Sequence, residues 1–220
     1  MSLSLYYYYL SPPSRAVLST MRHLGLEPKL KITSPLAGDT KTADFLKINP
    51  CHAIPVLNDD GFILNESRAI LMYLCNKFPN GKVLYPEDAV KRANVDKLLF
   101  FDGTTLYPAI TGSIMRPILR AKTKPSTEEL AVVTEKMATL ETIMGDSEFV
   151  AGNEVTIADI SIAVTIPILK AMVNENFITA KLLRWYERVL VKIPALKQLN
   201  EEAFNGYIGL KHNLLSATSN

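Results

Sequence analysis

Two cysteines, Cys51 and Cys75, are all that the 220 residues contain. That is too few for a disulfide framework or a thiolate-ligated metal, and with no CxxC the pair fits a reducing compartment. Basic runs are missing as well. No stretch gathers five or more Lys and Arg, and the formal charge is only +2, so the electrostatic footprint of a nucleic-acid binder or of an anionic-membrane binder is absent. No apolar run reaches the roughly 20 residues that a membrane-crossing helix needs. The apolar start Leu3 to Leu10 has no basic segment ahead of it, and Ser11-Pro12-Pro13 follows in place of a small-residue cleavage site. It reads as a buried strand rather than a secretion signal, and a cytoplasmic protein is the expectation. His23 and His212 have no partner at metal-ligand spacing, so no metal site is expected.

What is present is an ordinary folding composition, 48% hydrophobic and 21% charged. The length suits one large domain or two small ones packed together. Along the first third, strand and helix signals alternate. Leu3 to Tyr7 is short and aromatic; Ala16, Val17, Met21 and Leu24 then recur at helical spacing up to Gly25. Leu30-Lys31-Ile32 reads as a second strand, and a helical patch over Ala43 to Ile48 stops at Asn49-Pro50. Ile54 to Leu57 and Phe62 to Leu64 form a hairpin around Gly61, which supplies the positive φ of a tight turn. Glu66 to Phe78 is helical again, ended by Pro79-Asn80-Gly81.

The order βαβαββα predicts a thioredoxin-like domain over residues 1–79, with a linker at 80–90 and an all-helical domain over 91–220. Within the latter, Val155-Thr156-Ile157-Ala158-Asp159-Ile160 predicts a helix start with a Thr156–Asp159 capping box and a Val155–Ile160 staple. Residues 217–220 read as a frayed tail.

Three places carry chemistry. Ser11 sits where the first strand hands over to the first helix, beside backbone N–H groups at a positive helix end; it is an anion site or a plain N-cap. Pro55 opens a strand after Ile54, where a cis bond would leave the Ile54 backbone free to pair with a peptide, although a trans proline is tolerated at a strand start too. Glu66-Ser67 opens the third helix and matches the ammonium and carboxylate of an amino acid headgroup, or serves as a capping pair.

Residues 1–78 resemble the glutathione-binding domain of insect glutathione transferases. Leu10-Ser11-Pro12-Pro13-Ser14-Arg15-Ala16-Val17-Leu18 is most similar to the epsilon class, with delta next. Asn49-Pro50-Cys51-His52-Ala53-Ile54-Pro55-Val56-Leu57 and Asn65-Glu66-Ser67-Arg68-Ala69-Ile70 resemble the next two blocks. The resemblance implies a dimeric enzyme with glutathione as cosubstrate. It implies a catalytic hydrogen bond from Ser11 to the glutathione sulfur, with His52 at the glycyl end and the main chain of Ile54, before Pro55, at the cysteinyl unit. Glu66 and Ser67 would then hold the γ-glutamyl group, with Arg68 assisting.

The electrophile would lie against Pro13 and the helical domain, where Tyr107, Ile110, Ser113, Ile114, Met115 and Leu119 are candidates, closed by Phe204 or Tyr207. Conjugation or dehydrohalogenation of apolar electrophiles in detoxification is the implied function, insecticides among the substrates. A carrier that sequesters apolar ligands, and a structural relative used for protein contact, are the alternatives. Two places depart from the family pattern: Thr40 replaces a histidine that also contacts glutathione in many relatives, and Met115-Arg116-Pro117 replaces a common acidic residue before the proline. Tyr6 to Tyr9 read as core, Cys51 and Cys75 as small buried hydrophobes, and Asp102 as a solvent-exposed carboxylate or a group facing the partner's glutathione. Met72, Tyr73 and Cys75 read as apolar surface for a two-fold dimer.

Overall fold

A computed structural model describes residues 2–173 and 178–216; the tail expected to fray lies outside them. Strand β1 (Leu3–Tyr7) leads into α1 (Pro12–His23), and β2 (Lys29–Ile32) pairs parallel to β1. After α2 (Ala43–Ile48) come β3 (Val56–Asp59) and β4 (Phe62–Leu64), each antiparallel to its neighbour, giving the sheet order β2-β1-β3-β4. The hairpin turn is only Asp60-Gly61, and Gly61 takes φ +99°, a region that side chains with a Cβ avoid. Helix α3 (Ser67–Lys77) then packs on α1. This is the thioredoxin-like part of the molecule, with β1 central and wholly apolar Leu5 and Leu57 facing each other across the ladder.

After a 3₁₀ turn at Pro79–Val83 the elements are helical, apart from one isolated bridge between Phe149 and Gly152: α4 (Ala89–Phe101), α5 (Tyr107–Ile110), α6 (Thr127–Met144), α7 (Ile157–Ala163), α8 (Ile166–Met172), α9 (Ala180–Lys192) and α10 (Pro194–Ser216). Asp88 caps α4 through the N–H groups of Val90 and Lys91, and Ser126 with Glu129 closes a capping box on α6. Around α5 the helix widens into π-helical turns at Asp102–Leu106, Thr111–Met115 and Pro117–Ala121. Pro108 and Pro117 have no N–H to donate, which interrupts the regular ladder and lets the looser turns form beside them.

One continuous core joins the two parts, running from Leu5 and Val17 through Leu71 and Leu84 to Ile157 and Tyr207. The carbonyl of Leu84 accepts from the Ile157 N–H at 3.0 Å, so the connection between the parts is tied to the start of α7. At that start Asp159 is completely buried and accepts four hydrogen bonds: from the Thr156 N–H (2.8 Å) and hydroxyl (3.0 Å), the Val150 N–H (2.9 Å) and the indole N–H of Trp185 (2.8 Å). The expected cap is therefore one part of a larger cluster that joins α7, α9 and the preceding loop.

Several surface assignments are corrected. Cys75 is the small buried hydrophobe expected, and not dimer surface, with burial pushing its thiol up to about 12, whereas Cys51, expected to be buried as well, is exposed. Tyr73 is only partly exposed, and its hydroxyl donates to Asp59 at 2.7 Å. Cys75 thus offers no apolar surface for a dimer. The apolar side chains that do lie open include Phe62 on β4 and Phe100 on α4.

Candidate active site

Ser11 is the N-cap of α1, with extended backbone (φ −86°, ψ 109°) set by the two prolines that follow. Its Oγ accepts from the Ser14 N–H at 3.3 Å and from the Ser14 hydroxyl at 3.0 Å. Both of those bonds are accepted, so the Ser11 proton is left to donate elsewhere. The expectation of free N–H groups beside it is corrected. Pro12 and Pro13 have none, the Ser14 N–H goes to Ser11 Oγ, and the Arg15 N–H goes to the Ser11 carbonyl at 3.1 Å. The helix contributes its dipole here, and the hydroxyl is the donor.

Arg15, which the sequence did not single out, fixes this loop. It is fully buried and, among the described residues, has no carboxylate partner: its guanidinium donates to the carbonyls of Tyr9 (2.7 Å) and Val164 (2.6 Å) and to Asn200 Oδ1 (3.1 Å). The Tyr207 hydroxyl donates to the Leu10 carbonyl at 2.5 Å. Next to it, a Cβ on Gly206 would come within 2.6 Å of the Tyr9 ring, so only glycine lets α10 lie this close to the loop.

A second hub is Asn49, 1% exposed at the end of α2. Its carbonyl accepts from the His52 N–H at 3.0 Å, its amide donates to the Ala53 carbonyl at 2.9 Å, and its Oδ1 accepts from the Cys51 N–H and the Asn65 amide. The segment carrying His52 and Ile54 is thereby tied to the residue before Glu66. The Ile54–Pro55 peptide is cis. Glu66 itself is exposed, stands just outside α3 at φ +63°, and makes no capping hydrogen bond, whereas Ser67 is buried at the first helical position.

Arg68 reaches across to the helical part and grips Asp102 Oδ2 through Nε (3.1 Å) and Nη2 (2.5 Å), while the Ser161 hydroxyl donates to the same oxygen at 2.6 Å. The exposed-carboxylate reading of Asp102 is overturned: it is wholly buried, because the π-helical turn directs it into the core against α7. Burial pushes its carboxyl up, and the Arg68 charge draws it back.

These elements enclose a cavity of about 590 Å³. From the thioredoxin-like side it is lined by Ser11, Pro13, His52 and Ile54, with Tyr8 and Leu36 beside them; from the helical side by Tyr107, Met115, Leu119 and Tyr207. Pro55, Glu66, Ser67 and Arg68 stand outside that lining, Arg68 with its guanidinium 5.8 Å from the centre of the Tyr107 ring.

Ile110 and Ile114 are corrected from cavity to core, both being 0% exposed, and Ser113 is not in the lining. The reason is the helix face: 106, 110, 114 and 118 form the buried stripe, while 107, 111, 115 and 119 form the cavity stripe next to it. Phe204 lies in a separate groove with Tyr186 and Asn200. Tyr7 is buried, with its hydroxyl pushed up to about 12, and the Tyr6 hydroxyl accepts from Lys31 at 3.0 Å, so neither stands beside the cavity. Thr40 is buried outside the lining, and among the described residues no three metal-ligating side chains gather.

Residues 5–82 match the family model of the glutathione S-transferase N-terminal domain. Over 216 residues, 98% of the chain and 90% of the relative, the sequence is 34% identical to glutathione S-transferase D7 of Drosophila melanogaster. The chain belongs to the glutathione S-transferase family. A solved delta-class glutathione transferase from Nilaparvata lugens superposes with a TM-score of 0.89 at 32% identity, covering 96% of this chain and 99% of that one. An epsilon-class glutathione S-transferase from the housefly, Musca domestica, also gives 0.89, at 27% identity over 97% and 98%. The protein is thus a glutathione-using transferase similar to both insect classes, and no helix among its described residues is long and apolar enough to cross a membrane.

Proposed function

We propose that this glutathione S-transferase stabilises the glutathione thiolate with the Ser11 hydroxyl and transfers it to an electrophile held in the cavity. The observation that carries this reading is Ser11 on the cavity wall, accepting twice from Ser14 and keeping its own proton to donate. A bond donated to Ser11 polarises the hydroxyl and strengthens the bond it gives in turn. A thiol near 8.5 is mostly protonated at neutral pH; lowering it by two units takes about 2.7 kcal/mol. A charge-assisted hydrogen bond of about 1.5–3 kcal/mol with a helix end of about 0.3–1 kcal/mol is sufficient.

His52 serves the glycyl carboxylate, the Ile54 main chain beside Pro55 the cysteinyl unit, and Glu66 with Ser67 the γ-glutamyl headgroup, with Arg68 holding that segment against Asp102. Pro13, Tyr107, Met115 and Leu119 present the apolar wall to the electrophile, with the buried Tyr207 backing it. In conjugation the sulfur forms a bond to carbon and the leaving group departs with its electron pair; in dehydrohalogenation the thiolate removes a proton as halide leaves. Detoxification, insecticides included, in the cytoplasm is the proposed setting. The domain division is 1–79, 80–90 and 91–220, and the assembly is a homodimer, supported by the open Phe62 and Phe100. Sedimentation showing only a 24.4 kDa species would contradict the dimer.

Steady-state assay with glutathione and 1-chloro-2,4-dinitrobenzene tests the activity. The wild type should turn over, and Ser11→Ala should lower kcat by about a hundredfold while the KM for glutathione moves less than about threefold. Tight binding of glutathione and apolar ligands with no turnover would establish a carrier instead.

A further inference from the structure

Arg116 and Arg120 stand four residues apart on the cavity face of the same helical run, next to Met115 and Leu119. Both are exposed, and among the described residues neither has a hydrogen-bond or ion-pair partner. Among the described residues no Asp or Glu lines the cavity. The sequence shows why. Between Asp102 and Glu128 there is no acidic residue, while Arg116, Arg120, Lys122 and Lys124 all fall in that interval. Among the described residues the mouth of the site is therefore positive at Arg116 and Arg120 and apolar further in.

Low-dielectric walls lined by one sign of charge concentrate ligands of the other sign. His52, on the opposite wall, is the group set aside for the glycyl end of glutathione, so the arginine pair faces the part of the cavity left for the second substrate. Building on the transferase reading above, we propose that the electrophile class is an anionic amphiphile: an apolar body bearing the leaving group, with a carboxylate that Arg116 and Arg120 receive. Guanidinium groups suit this role, since their paired N–H donors match the two oxygens of a carboxylate. Each arginine alone is an exposed partner of modest strength, worth about fivefold in affinity, and the two together about twentyfold.

The test uses a matched pair of aryl chlorides, 4-chloro-3,5-dinitrobenzoate and its methyl ester. In both, the thiolate sulfur bonds to the ring carbon and chloride leaves with the electron pair. After division by the uncatalysed rates, kcat/KM should favour the carboxylate. Arg116→Gln should lower the carboxylate-to-ester ratio about fivefold and the double variant Arg116→Gln/Arg120→Gln about twentyfold. The preference should also weaken as salt is raised. An unchanged ratio in the double variant overturns the proposal. So does an equal loss for both substrates with a raised KM for glutathione, which would assign the arginines to the glycyl carboxylate. Calorimetry with unreactive 3,5-dinitrobenzoate and its ester, in the presence of glutathione, needs no turnover. Equal binding of the two overturns the anionic class, whereas a carboxylate preference without turnover of any aryl chloride would overturn only the transferase mechanism.

Discussion

Glu66 takes a left-handed backbone at φ +63° one residue before α3, where a side chain with a Cβ costs about 1 kcal/mol. Its carboxylate caps nothing and lies exposed beside the buried Ser67, as the proposed headgroup contact requires. Glu66→Ala keeps the Cβ and the backbone preference while removing the charge. The KM for glutathione should rise about tenfold with kcat nearly unchanged, because the headgroup is bound equally in ground and transition states; an unaltered KM would displace the headgroup from this position. The turns that carry Ser11, His52 and Glu66 were legible in the sequence because each lies in a short block whose turn chemistry is local. Arg15 and Asn49 were not. The Arg15 partners Val164 and Asn200 lie 149 and 185 residues away, and nothing near Arg15 in the chain announces them.

Among the elements, α7 was the one whose start the sequence marked most clearly, through Thr156 and Asp159. What the motif did not reveal is that the same carboxylate also takes the Val150 N–H and the only indole of the protein. Burial pushes the Asp159 carboxyl upward, and the four donated bonds oppose that shift. Asp159→Ala leaves those donors buried without a partner. The loss of stability in urea titration should be about 3 kcal/mol, more than a surface cap alone would cost, with kcat of the remaining folded enzyme little changed. Wild-type stability with lost activity would place Asp159 in the site. The π-helical turns around α5 escaped the sequence reading, since helical spacing alone does not reveal where a proline loosens the register. For the same reason Ile110 and Ile114 read as cavity residues when they belong to the neighbouring buried stripe.

Across the whole molecule, the cavity is assembled between two parts that share one core, with Arg15, Tyr207 and the Arg68–Asp102 pair fastening the Ser11 loop and the start of α3 to the helices. The βαβαββα order was readable because its strands are short, apolar and punctuated by Pro and Gly. The width and charge of the cavity were not, since they arise only when the stripe of Met115, Arg116, Leu119 and Arg120 is brought opposite Ser11 and His52. The central proposal is that Ser11 holds glutathione as its thiolate. That state is read directly by the ultraviolet absorbance of enzyme-bound glutathione as pH is raised. A lowered thiol value means thiolate appears at lower pH, so the wild type should show a midpoint near 6.5, about two units below the free thiol. In Ser11→Ala the midpoint should return at least one unit toward about 8.5. A wild-type midpoint at the free value, or the same lowered midpoint in both proteins, would contradict the assignment of Ser11 as the group that stabilises the sulfur.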